Sequence, residues 1–117
     1  MNVTVTDVLG SLFNPTDTVC FRVFDDKKGG VFQGSKLSCE CGKYKSIEET
    51  LKNHNAMYRE IFFVVNYGGH DDESITRINA QFVEMDDCGF EEQLKKIHAF
   101  PLAPSMVMKT QQSYHVY

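Results

Sequence analysis

The chain contains no tryptophan and only three prolines among its 117 residues, so other residue types must supply the large core side chains. Nine phenylalanines and five tyrosines do so, and a hydrophobic fraction of 42% is enough for an ordinary core. This length predicts a single domain over residues 1–117. Within it we distinguish an N-terminal α/β portion, 1–60, from a portion that carries the candidate site residues, 61–117.

The sequence also lacks the features of an exported or membrane-spanning protein. It has no apolar run near the length that crosses a bilayer. The first seven residues contain neither a basic region nor a long apolar stretch, so they do not predict a secretory signal. The expected location is therefore the cytoplasm, and no membrane is expected among the partners.

The four cysteines do not have a spacing that is typical of a structural site. One residue separates Cys39 from Cys41, whereas zinc-binding cysteines are usually separated by about two to four. A zinc site built with Cys88 and His54 is an alternative. The simpler interpretation is that the cysteines are reduced thiols of a cytoplasmic protein.

Positive charge is scarce. Twelve basic residues against sixteen acidic ones give a net charge of −4, the wrong sign for a protein that binds nucleic acid through phosphate neutralisation alone. A nucleic-acid function would need a local basic patch, a metal ion or a further segment. Lys27–Gly30 lacks the full glycine spacing of a phosphate-binding loop, so we favour a solvated turn there.

Hydrophobic periodicity predicts strands and helices along the whole chain. The predicted strands are 18–24, 31–38, 60–66, 80–87, 105–110 and 113–117, and the predicted helices are 47–59 and 90–100, with a short helix or turn at 8–13. Ser46 and Glu49 predict a capping box for the helix 47–59, and the continuous apolar run 60–66 predicts a central strand buried on both faces. Together these elements favour an α+β fold with helices packed on one face of a mixed or antiparallel sheet.

The helix 90–100 is clearly amphipathic. The residues expected to face the core are Phe90, Leu94 and Ile97, with Phe100 as a further candidate.

The stretch 80–87 alternates apolar and acidic residues, which places Glu84 and Asp86 on the same face of an extended strand. Two carboxylates a few ångströms apart repel each other, and a divalent cation such as Mg²⁺ or Mn²⁺, bound together with substrate phosphates, removes that repulsion. The alternative is a solvent-facing strand edge with two acids. The spacing therefore makes Glu84 and Asp86 candidate metal ligands.

A second group of candidate residues lies near Tyr117. Ser113 and His115 share one face of the last predicted strand, and His115 could donate a hydrogen bond to a phosphate oxygen. Lys109 could add a positive charge. The alternatives are a hydrogen-bonded structural histidine and a solvated lysine.

Four segments of the chain, in the order in which they occur, resemble the archaeo-eukaryotic primase superfamily, in particular the primase-polymerase domain of phage and plasmid replication proteins. These segments are 82–87, 91–94, 104–110 and 113–117. The likeness extends over residues 61–117. The family's first motif is an acid–apolar–acid strand that binds catalytic divalent metals, and Glu84 and Asp86 match it. The second is a Ser-x-His strand whose histidine contacts the phosphates of the incoming nucleotide, and Ser113 and His115 match it.

The resemblance implies an RRM-like core, metal-dependent nucleotidyl transfer with Mg²⁺ or Mn²⁺, and a role in DNA replication. It implies nucleoside triphosphates and a single-stranded DNA template as ligands, and a fused or associated helicase. The implied catalytic residues are Glu84, Asp86 and His115, and Ser113 and Lys109 would help His115 to hold the triphosphate.

The family's third motif is a further metal-binding aspartate beyond the histidine strand, and it has no counterpart before Tyr117. We therefore expect this chain to be the N-terminal part of a larger domain, with an incomplete site. The alternative is a degenerate primase fold that acts as a binding protein. Its acidic surface would cover the nucleic-acid-binding site of a host or defence protein and inhibit it.

Overall fold

The computed structural model describes residues 3–25, 32, 34–85, 87–110 and 113–117. These residues form an α+β fold with three α-helices and two small antiparallel sheets of three strands each. The chain divides into two units, Met1–Asn79 and Ala80–Tyr117. None of the helices in the described ranges is long and apolar enough to span a bilayer.

The elements of the first unit are α1 (Val5–Leu12), β1 (Thr18–Asp25), β2 (Ser35–Glu40), α2 (Lys45–Ala56) and β3 (Arg59–Phe63), with 3₁₀ turns at Cys41–Lys43 and Asp72–Ser74. The elements of the second unit are β4 (Val83–Glu84), α3 (Phe90–Ala99), β5 (Val107–Lys109) and β6 (Tyr114–Val116).

The first unit is built around β1, the central strand of a sheet with the order β2-β1-β3. Its inward side chains Val19, Phe21 and Val23 are almost completely buried, and α1 and α2 add Leu9 and Leu51 to the same core. The strand predicted at 18–24 is therefore confirmed. It forms because β-branched and aromatic residues alternate along it and fit a pleated surface with one buried face.

The prediction of a central strand at 60–66 is wrong. β3 ends at Phe63 and, among the described residues, pairs with β1 alone, so it lies at an edge of the sheet. Phe62 is 49% exposed and contacts the ring of Phe24, with the centroids 5.8 Å apart. An apolar run by itself does not distinguish a strand buried on both faces from an edge strand, because the tertiary pairing decides between them.

The predicted capping box of Ser46 and Glu49 is also wrong. The 3₁₀ turn Cys41–Lys43 leads directly into α2, so the helix begins at Lys45 and Ser46 lies inside it. The Ser46 hydroxyl donates a hydrogen bond of 2.7 Å to the carbonyl oxygen of Lys43. Its side chain is therefore bonded to the preceding turn.

Two other helix ends differ from the sequence prediction. α2 ends at Ala56, and Tyr58 takes a φ of 59°, a left-handed conformation that stops the helix before Arg59. α1 begins earlier than predicted and has a capping box of its own, in which the Thr4 side chain accepts from the Asp7 backbone and the Asp7 carboxylate accepts from the Thr4 backbone.

The predicted hairpin partner of β1 is confirmed as a strand with different bounds. β2 runs from Ser35 to Glu40 and pairs antiparallel with β1, with Leu37 opposite Phe21. The turn predicted at Lys27–Gly30 and the predicted strand residue Val31 lie outside the described residues.

An ion pair connects the end of the first unit to the α1–β1 connection. The Arg77 guanidinium donates to both carboxylate oxygens of the buried Asp17 and lies over the Tyr67 ring, 4.6 Å from its centroid. This hydrogen bond lowers the pKa of Asp17. Gly68 next to Tyr67 has a φ of 147°, and a side chain there would overlap the carbonyl oxygen of Ser74, so the loop requires glycine.

The second sheet has the order β4-β6-β5, and both pairings are antiparallel. The strands predicted at 105–110 and 113–117 are confirmed in shorter form, and residues 111–112 between them lie outside the described residues. The strand predicted at 80–87 is wrong in extent, because among the described residues of this stretch only Val83 and Glu84 pair with β6. Acidic residues are poor strand formers, which is consistent with a short β4.

α3 confirms the predicted helix to within one residue, but its buried residue is polar. Gln93 is fully buried, whereas Leu94 and Phe100 are exposed, so the prediction that these two face the core is wrong. The Gln93 amide nitrogen donates to the carbonyl oxygen of Cys88, and its amide oxygen accepts from the backbone N–H of Tyr114, both at 2.7 Å. These bonds offset the desolvation of the amide and hold α3 on β6.

Candidate functional site

The register of the second sheet sorts its side chains into two faces. Glu84 lies opposite His115 in β6, and His115 lies opposite Met108 in β5. Directly opposed residues of an antiparallel pair point to the same side, so these three side chains share one face. We call this the Glu84 face, and it is formed by Glu84, Met108 and His115 and extended by Phe82 and Tyr117.

α3 packs against the opposite face of the sheet. The Phe90 ring contacts the Tyr114 ring edge-on, with centroids 5.2 Å apart. The Lys109 ammonium lies over the Phe90 ring, 4.6 Å from its centroid. Tyr114 and Lys109 are opposed in register and alternate with His115 and Met108. Within the second unit, α3 therefore does not cover the Glu84 face.

Glu84 and His115 come together on this face. The Glu84 Oε1 and the His115 Nε2 are 3.6 Å apart, and the two side chains are 44% and 23% exposed. The distance is that of an ion pair when the imidazole is protonated, and it is too long for a hydrogen bond. Both groups therefore keep hydrogen-bonding and ligand capacity towards the solvent.

Asp86, the second predicted metal ligand, lies outside the described residues, so its pairing with Glu84 stays a prediction. In the described part of the chain, no group of three or more histidine, cysteine, aspartate or glutamate side chains is arranged to hold a metal. The Glu84 carboxylate offers a hard oxygen donor. Mg²⁺ binds through one or two carboxylates together with substrate phosphates and water, so this donor fits such an ion.

Ser113 has a structural position at the start of β6. It is buried, and its backbone N–H donates to the Thr110 hydroxyl oxygen at 3.1 Å, while that hydroxyl donates to the Ser113 carbonyl oxygen at 3.0 Å. These bonds connect the end of β5 with the start of β6 and so help to position His115. Lys109 lies on the other face. The structure therefore brings Glu84 and His115 together and separates Lys109 from them.

Two aromatic rings adjoin the pair, and neither is among the site residues predicted from the sequence. Phe82 is 45% exposed, and its ring centroid is 5.7 Å from that of Tyr117. Partial burial and the negative charge of Glu84 raise the pKa of Tyr117. The signal for both residues is the period of two, because Phe82 precedes Glu84 by two positions and Tyr117 follows His115 by two.

The thiols are free at all four cysteines, Cys20, Cys39, Cys41 and Cys88. Burial raises the pKa of the first three, which disfavours the thiolate that zinc requires. The zinc alternative with Cys88 and His54 stays a prediction.

Comparisons of the chain with protein-family models, with curated proteins and with solved structures find no match. The chemistry of the Glu84 face therefore follows from its own groups: an exposed carboxylate, an imidazole 3.6 Å away and two adjoining aromatic rings.

Proposed function

We propose that this chain belongs to a primase-polymerase-like domain of a phage or plasmid replication protein, with an RRM-like core. Its Glu84 face would bind a nucleoside triphosphate together with Mg²⁺ or Mn²⁺. The observation that carries the proposal is the placement of Glu84 beside His115 across two antiparallel strands. An oxygen ligand for a cation and a nitrogen donor for a phosphate then lie on one face that α3 leaves open.

Each side chain has a distinct role in this proposal. The Glu84 carboxylate binds the cation, and Asp86 is the second ligand that the sequence predicts. The His115 Nε2 donates a hydrogen bond to a phosphate oxygen, and Ser113 positions it through its hydrogen bonds with Thr110. A bound Mg²⁺ or Mn²⁺ would neutralise charge on the triphosphate and favour deprotonation of the attacking 3′-hydroxyl. The reaction would be nucleotidyl transfer on a single-stranded DNA template, in which the 3′-hydroxyl oxygen bonds to the α-phosphorus, pyrophosphate leaves and the hydroxyl proton goes to solvent. A fused or associated helicase would accompany it.

The negative charge of the chain leads to a specific expectation about how it binds a nucleotide. The chain carries a net charge of −4 and Glu84 lies on the binding face, so a triphosphate alone would be repelled. We therefore expect nucleotide binding to require a divalent cation and to disappear when a chelator removes it. Lys109 does not offset this repulsion in our proposal, because its ammonium lies over Phe90 on the opposite face.

A manganese titration with and without dATP, followed by calorimetry, tests the proposal. We expect Glu84→Gln and Asp86→Ala to weaken Mn²⁺ binding. We expect His115→Leu to weaken binding of the Mn²⁺–dATP complex by about tenfold or more, because leucine has no donor and one hydrogen bond to a charged phosphate is lost. Glu91→Gln is the matched control, since Glu91 is an exposed acid of α3 that does not lie on this sheet face. Equal Mn²⁺ affinity for the wild type and Glu84→Gln would refute the proposal.

Primer synthesis gives the catalytic test. We expect a replication protein that contains this chain to make primers on single-stranded DNA and to lose this activity with Asp86→Ala. Full activity of that variant would contradict the assignment.

An exposed acidic segment favours the second candidate function, a binding protein that covers the nucleic-acid-binding site of another protein. Asp72 and Glu73 are exposed, and the chain as a whole is acidic. In that case the chain would bind a basic nucleic-acid-binding protein in a salt-dependent manner and would not bind Mn²⁺–dATP. The manganese titration therefore separates the two functions.

A further inference from the structure

Phe82 and Tyr117 continue the row of side chains that contains Glu84 and His115. β4 and β6 are antiparallel, with Glu84 opposite His115 and Val83 opposite Val116. The next position along this register sets Phe82 opposite Tyr117, and the ring contact of 5.7 Å agrees with it. The Glu84 face is therefore polar at one end and aromatic at the adjoining end.

The aromatic end presents an open ring surface. Phe82 is 45% exposed, and the two ring planes are inclined by 37°, so neither ring fully covers the other. Two adjoining aromatic rings, one of them half-exposed, form a surface on which another flat ring stacks.

The distance along the strands matches the length of a nucleotide. Residues two positions apart on a strand are about 7 Å apart. The aromatic pair therefore lies about this far from the Glu84–His115 pair, a span that one ribose bridges between a base and its first phosphate.

We infer that Phe82 and Tyr117 form a base-stacking subsite, which takes the nucleobase of a nucleotide whose phosphates lie at Glu84 and His115. This inference rests on the proposed function. Stacking on an aromatic ring tolerates every base, because each base has a π-face. We therefore expect binding of all four nucleotides, with a modest preference for purines because of their larger rings.

Binding of 2-aminopurine deoxyribonucleoside triphosphate in the presence of Mn²⁺ tests the inference, with inorganic tripolyphosphate as the probe that lacks a base. We expect the fluorescence of 2-aminopurine to be quenched on the wild-type protein. Phe82→Leu keeps an apolar side chain but removes the ring, and we expect it to abolish the quenching and to weaken nucleotide binding by about tenfold. Tripolyphosphate should bind equally to both proteins.

Two further variants serve as controls. Phe62→Leu changes a phenylalanine of similar exposure, 49%, in the first unit, and we expect it to bind like the wild type. Tyr117→Phe keeps the ring and should retain quenching, whereas Tyr117→Leu should lose it. A common structural defect would weaken tripolyphosphate binding as well.

The outcomes separate the inference from the proposed function. If the wild type binds tripolyphosphate through His115 but Phe82→Leu binds the nucleotide normally, the stacking subsite is refuted and the phosphate site stands. If the wild type binds neither probe with Mn²⁺, both are refuted. Loss of quenching and nucleotide affinity in Phe82→Leu alone supports the subsite.

Discussion

Replacing Gln93 by methionine removes the side-chain hydrogen bond that joins α3 to β6 and a second bond to the Cys88 carbonyl just before the helix. Methionine has nearly the length of glutamine but lacks its amide, so the Cys88 carbonyl and the Tyr114 N–H each lose a hydrogen bond of 2.7 Å. Loss of one such bond next to a buried group costs about 1–2 kcal/mol. We therefore expect the variant to lose about 2–4 kcal/mol of local stability. Because Tyr114 precedes His115, the loss should also loosen β6 at the candidate site.

Native-state hydrogen exchange measures this loss residue by residue. We expect the amides of α3 and β6 to exchange faster in the variant, while those of β1 in the first unit serve as an internal reference. Lys95→Met is the matched control, since it introduces methionine at an exposed position of the same helix and should change stability by less than about 0.5 kcal/mol. If Gln93→Met protects β6 as well as this control does, the two hydrogen bonds do not hold the helix on the sheet.

The remaining predictions concern the first unit. Leu51 is buried in its core, so Leu51→Ala should lower the free energy of unfolding in urea by about 2–5 kcal/mol. Thr50→Ala on the exposed side of the same helix should have little effect, and an equal loss in both would contradict this account of the core. Arg77 lowers the pKa of Asp17 below its ordinary value of 3.8, so the pair stabilises the folded state above that pH, and the stabilisation is lost as the pH falls through the lower folded-state pKa. Asp17→Asn should flatten the profile of unfolding free energy between about pH 2 and 5, and an unchanged profile would refute this origin of the acid sensitivity.

Local patterns in the sequence predicted several elements well. The strand around Phe21 and the helix 90–100 follow from alternation and from helical periodicity, which depend on near neighbours in the chain. The position of α2 is also predicted, but its start is not, because the preceding 3₁₀ turn replaces the capping box at Ser46.

Sequence patterns failed where burial depends on distant partners. The run 60–66 has the composition of a central strand, yet β3 lies at an edge because β1 is the strand that pairs on both sides. On α3 the hydrophobic pattern favours Leu94, but the buried position belongs to Gln93. A buried glutamine becomes favourable only when other groups satisfy its amide, and here the Cys88 carbonyl just before the helix and the more distant Tyr114 N–H do so.

For the candidate site, the sequence by itself determined which residues share a row: the period of two places Phe82 with Glu84, and His115 with Tyr117. It did not determine which strands pair, and so which rows of side chains lie beside each other. The pairing of β4 with β6 decided that Glu84 lies beside His115, and the packing of α3 decided that Lys109 does not join them. The physical reason is that side-chain direction follows from local backbone geometry, whereas strand pairing depends on contacts between residues that are distant in the chain.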